Sequence, residues 1–140
     1  MKPWLIYAFL SMFSAGAVSV IAKLGLTGIS SEVGLTVRTL FVGFFVLIFA
    51  GVFTAAKDYA ALVWQNYLWL GISGFATALS WIFYYKALKI GNVADIALID
   101  KGSVVVAMIL ACLFLGEAIS WRMAIGCAFI VAGLFVIAWR

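Results

Sequence analysis

Apolar residues run through this chain in long blocks rather than in alternation. Blocks of about 20 residues, the length that spans roughly 30 Å of hydrocarbon, predict five helices at about 4–22, 33–53, 67–86, 94–116 and 121–139. Short polar stretches separate them: KLGLTGISSE, TAAKDYAALVWQN, KIGNVAD and EAISWR. None is long enough to hold a separate folded domain. The pattern predicts an all-α integral membrane bundle of five transmembrane helices, a single domain over residues 1–140. The first block follows Lys2 and contains Ala15, Gly16 and Ala17, small residues of the kind found at secretory cleavage sites. Its apolar run continues through Ile21, so a retained first helix is expected.

Composition agrees with this reading. The chain is 68% hydrophobic and 10% charged, too little polar surface to cover a soluble domain of this size. The net charge of +4 is spread singly between apolar blocks, without the basic run that nucleic-acid binding requires. There is no His, and Cys112 and Cys127 sit in mid-block. That inventory builds neither a Cys/His metal site nor a disulfide framework. It also offers no nucleophile–base arrangement, so neither an enzyme nor a bound cofactor is expected.

Two residue patterns point to packing. Trp and Tyr gather near block ends, as in an interfacial belt. Trp81, Tyr84 and Tyr85 are set apart, because i, i+3 and i, i+4 spacing puts an aromatic pair on one helix face, where it could line a cavity. In the last block Gly126 and Gly133, with Ala124, Ala128 and Ala132, form a smooth stripe. Such a stripe lets another backbone approach closely, within the bundle or in a dimer.

The charges inside the blocks carry the candidate chemistry. Arg38 lies about five residues into the second block, a depth of roughly 8 Å. Asp100 and Lys101 lie about seven residues into the fourth, at roughly 10 Å from the same side. Each would cost about 2.5–3.5 kcal/mol at a lipid-exposed helix centre, so they must face protein or water. Asp100 and Lys101 are neighbours in sequence and point about 100° apart on a helix, which makes Arg38 the expected partner of Asp100. Either the cluster fixes helix packing, or it forms a wet half-cavity that binds a polar solute. Two cations against one carboxylate favour an anionic or zwitterionic solute.

Residues 84–138 resemble the second half of an EamA-type domain of the drug/metabolite transporter superfamily. The resemblance rests on ALKIGNVA (87–94), FLGE (114–117), Gly126 and the Ala132-Gly133 pair, with weaker echoes at Lys23 and Arg38. It implies a helical-bundle transporter of small metabolites, amino acids or drugs, often an exporter in the inner membrane. Relatives often carry two five-helix repeats of inverted topology, so a single repeat implies a second copy or a paired partner. The chain departs from the common pattern by lacking an early proline in the fourth helix, where it has IDKGS (99–103). Its first helix also lacks the carboxylate that small multidrug-resistance pumps use for cationic drugs.

Together these features predict an alternating-access transporter of the bacterial inner membrane, with substrate-binding residues Arg38, Asp100, Lys101, Trp81, Tyr84 and Tyr85. The alternative from another class is a non-transporting membrane scaffold, or one subunit of a heterodimeric transporter. Lys2, Lys57 and Arg122 fall on one side of five crossings, and Lys23, Lys86, Lys89 and Arg140 on the other. So even a balance gives almost no orientation signal, and an antiparallel dimer of oppositely inserted copies is expected.

Overall fold

The structure, a computed structural model, describes residues 3–139; Lys2 and Arg140 of the charge balance lie outside the described residues. The described residues form helices joined by short turns and loops, with no strand among them: α1 (Pro3–Gly25), α2 (Ser31–Phe53), α3 (Ala56–Tyr59), α4 (Trp64–Ile90), α5 (Val93–Asp100), α6 (Ser103–Leu115) and α7 (Trp121–Ala138). α1, α2, α4 and the α5–α6 stretch Val93–Leu115 are long and apolar enough to cross a bilayer. In α7 the apolar stretch Trp121–Ile137 is shorter, about 26 Å at 1.5 Å per residue. So four of the five expected crossings have spanning length, and the fifth is a shorter apolar helix. Large apolar side chains such as Phe13, Phe44, Leu47, Phe75 and Phe114 are well exposed. An exterior of this kind suits hydrocarbon and not water: the protein is an integral membrane protein.

Local chemistry explains the helix ends. α1 opens on Pro3, whose missing N–H costs nothing in a first turn. Ser30 and Ser120 cap α2 and α7, their hydroxyls accepting the Val33 and Met123 N–H at 3.3 Å. α6 ends at Gly116 with φ +66°, a left-handed residue that favours glycine; this is the Gly of FLGE.

The chain forms two compact units, one of them Val20–Ile90 and the other taking the chain on either side of it. Within Val20–Ile90, α2 packs on α4. Leu26, Tyr85 and Leu88 are its buried apolar residues, Leu88 completely so. Gly34 lets the α1–α2 turn close on this core, since a Cβ there would stand 2.3 Å from Leu26 Cδ2. Two lysines fasten the turn. Lys23 donates to the Leu88 carbonyl near the end of α4, and Lys89 donates to the carbonyls of Leu26 (3.0 Å) and Ile29 (2.7 Å). Cations at helix-end carbonyls are favoured by both hydrogen bonding and the helix dipole.

In the other unit α7 packs on α5 and α6, with Cys127 Sγ 3.3 Å from Met108 Sδ. Here the expected continuous fourth helix is interrupted. The N–H groups of Lys101, Gly102, Val104 and Val105 reach back three residues, to Leu98, Ile99, Lys101 and Gly102. That tightening is the 3₁₀ pattern. It falls where a side chain of α7 packs against the turn: a Cβ on Gly102 would lie 2.9 Å from Leu134 Cδ1 and 3.0 Å from the Ile99 carbonyl oxygen. The break forms without the proline that the family pattern often supplies.

Candidate solute-binding site

Arg38 stands about two turns into α2. Its guanidinium carbon is 4.3 Å from the Trp81 ring centroid and 5.8 Å from that of Tyr85. Trp81 and Tyr85 are four apart on α4 and therefore share a face. Tyr84, one position along and partly buried, is not among the rings that Arg38 meets. A cation over a ring face gains about 0.5–2 kcal/mol, but a ring does not replace an oxygen acceptor in the guanidinium plane. Arg38 Nη1 is buried and has no hydrogen-bond partner. A buried donor left in that state costs about 1–3 kcal/mol, so the site holds a charge that is stabilised yet incompletely satisfied. A carboxylate or phosphate oxygen would complete it.

The ion pair expected between Arg38 and Asp100 would join residues of the two units. Among the described residues of its own unit Arg38 meets no carboxylate, and the aromatic faces of α4 cover its charge. Asp100 and Lys101, in the other unit, pair with each other, Nζ to Oδ2 at 3.7 Å, with side chains 41% and 54% exposed respectively. They were expected to diverge on a regular helix. The helix instead stops at Asp100, and the long, flexible lysine bends back from the turn. So exposed and long an ion pair adds little stability.

Gly126 and Gly133 were expected at a close helix contact. A Cβ at either would meet nothing within 4 Å, so neither glycine is pressed against another helix of its own unit. The close approaches fall at Gly34 and Gly102 instead.

A groove of about 640 Å³ runs between α2 and α4, lined among others by Thr39, Gly74, Thr77 and Trp81. Trp81 thus belongs both to the groove and to the Arg38 cluster. A smaller cavity of about 250 Å³ shares Leu35, Thr36 and Ile82 with it and is lined further by Ser31, Glu32 and Lys86. The groove was missed in the sequence, although Thr36 and Thr39 on α2, and Ser73 and Thr77 on α4, form a readable stripe at helical spacing. Lys23 and Lys89 were counted as cations on one side of the crossings, with Lys23 also a weak family echo; their position in last turns was the signal for carbonyl caps.

With this geometry in view, comparison with known proteins is informative. The family model described as the EamA-like transporter family matches residues 2–139. A curated protein from Sinorhizobium sp., described as "Uncharacterized transporter in cobO 3'region", is 34% identical over 140 residues, covering 98% of this chain and 97% of that protein. No solved structure matches the chain. A match from residue 2 to residue 139 and a relative aligned along nearly its whole length agree: the chain belongs to the EamA-like transporter family.

Proposed function

We propose that the protein exports a small polar metabolite carrying an anionic or zwitterionic group across the bacterial inner membrane. The observation that carries this reading is the unpartnered, buried Nη1 of Arg38 beside Trp81 and Tyr85. An ionisable group inside a membrane span defaults to function. This one lacks the oxygen partner that would make it purely structural, in a chain whose family consists of transporters. In this reading Arg38 captures the solute's anion, with Trp81, Tyr84 and Tyr85 as walls. Asp100 and Lys101 form the second charged element, placed at the break in the fourth crossing. Broken helices recur at the solute sites of secondary transporters.

The mechanism proposed is alternating access by an antiparallel dimer, α7 serving as the fifth crossing. Two opposed copies reproduce the inverted symmetry that such rocking requires, and the stripe at Gly126 and Gly133, open in the single chain, suits a close contact between copies.

The test is reconstitution in liposomes loaded with a panel of carboxylates and amino acids. Arg38→Gln and Asp100→Asn should each abolish uptake or release while circular dichroism stays helical. Full transport by both variants would end the proposal. Absence of any solute movement by the wild type, together with capture of one specific membrane partner, would favour the scaffold or heterodimer reading.

A further inference from the structure

The groove between α2 and α4 has a use that transport does not assign. We propose that it binds a zwitterionic phospholipid of the surrounding bilayer, one acyl chain lying in the groove and the headgroup seated between Glu32 and Lys86.

The dimensions fit a chain of hydrocarbon. From Leu70 to Ile82, both in the lining, α4 rises roughly 18 Å, near the depth of one leaflet's hydrocarbon, about 15 Å. A volume of about 640 Å³ over that length gives a cross-section of roughly 36 Å². That section is wide enough for an acyl chain. Gly74 holds the groove open, since nothing stands within 4 Å of where its Cβ would be.

The threonines of the walls ask for no hydrogen bond. The hydroxyls of Thr36, Thr39 and Thr77 donate to the carbonyls of Glu32, Leu35 and Ser73 at 2.8, 2.8 and 2.9 Å. With those three protons spent on the backbone, an apolar occupant strands none of the threonine hydroxyls.

The mouth supplies the specificity. Glu32 and Lys86 line the same small cavity that continues into the groove, and their charges are close enough to interact. Both are exposed, and neither is in an ion pair among the described residues. Glu32 is in the first turn of α2 and Lys86 one turn from the end of α4, which puts both near headgroup level. A headgroup with a phosphate and an ammonium matches the pair, phosphate to Lys86 and ammonium to Glu32. A purely anionic headgroup meets repulsion from Glu32. The inference needs only the groove and a bilayer, and stands whether or not the protein moves a solute.

The experiment uses the full chain, delipidated in mild detergent and titrated separately with phosphatidylethanolamine and phosphatidylglycerol, read by native mass spectrometry and thermal shift. The wild type should retain phosphatidylethanolamine about tenfold more tightly, the scale of one charge-assisted hydrogen bond. Lys86→Gln should weaken that binding about tenfold, and Glu32→Gln should bring the two lipids level. Gly74→Leu should abolish retention of both lipids with the helical spectrum intact; Ala78→Phe, on the same wall, repeats the test should Gly74→Leu fold poorly. Equal retention of the two lipids by the wild type, or unchanged lipid binding in a folded groove-filled variant, overturns the proposal. So does a groove-filled variant that loses only self-association, which would make the groove an interface between copies.

Discussion

Replacing Arg38 by Met separates stability from function more sharply than any other change in this chain. The side chain keeps its length and apolar stem while losing its charge. On the stabilising side, the guanidinium gains from Trp81 at 4.3 Å and, more weakly, from Tyr85 at 5.8 Å, together about 1–3 kcal/mol. On the other side stand the unpartnered Nη1, at about 1–3 kcal/mol, and the residual cost of a cation below the membrane surface. The two sides nearly cancel. Methionine also packs well on aromatic rings. Arg38→Met should therefore unfold within about 1 kcal/mol of the wild type, or later, in a denaturant titration in mixed micelles. In the same preparation, solute-dependent thermal stabilisation by carboxylates should vanish, and cells carrying the variant should accumulate the metabolite that wild-type cells release. A loss of several kcal/mol with transport preserved would refute the reasoning, because Arg38 would then be a structural cation that the rings fully satisfy.

Three further predictions rest on separate contacts. Gly34→Ala should cost about 1–3 kcal/mol, because its Cβ would overlap the buried Leu26 side chain at 2.3 Å; an unchanged denaturation midpoint would count against that packing. Lys89→Met removes the bonds to the Leu26 and Ile29 carbonyls, and should cost about 1.5–3 kcal/mol with faster amide exchange confined to the α1–α2 turn. Reporter fusions after Arg140 should give both cytoplasmic and periplasmic signals, since the two loop sets differ by a single cation. Adding lysines at one terminus should force one orientation and reduce transport, and a single clean orientation in the active wild type would sink the antiparallel dimer.

The spans were legible because in lipid every backbone group must be bonded within its own segment, so the length of an apolar block nearly dictates a helix. α2 starts two residues before the expected position and ends at the expected Phe53. α4 runs to Ile90, past the expected 86, because Lys89 finds backbone acceptors in the α1–α2 turn; that gain depends on a segment some sixty residues away and leaves no local mark. The break at Lys101–Gly102 was hidden for the same reason. Gly102 is an ordinary glycine until Leu134 of α7 is brought against it.

For the charges, the physics of depth required that Arg38 be covered, and it is. What sequence reasoning could not supply was the kind of cover. A rule that pairs opposite charges nominated Asp100, a residue of the other unit; within its own unit Trp81 and Tyr85, already noted as a possible cavity face, take the guanidinium through their ring faces. The two kinds of cover differ in their consequence. A carboxylate would have satisfied the in-plane N–H groups and closed the site. The rings offset the charge but leave Nη1 a donor without an acceptor, and in a membrane interior such a donor gains from any oxygen that reaches it. Under the proposed function, partial satisfaction suits binding and release better than a complete ion pair, because a buried salt bridge would cost about 3–5 kcal/mol to break.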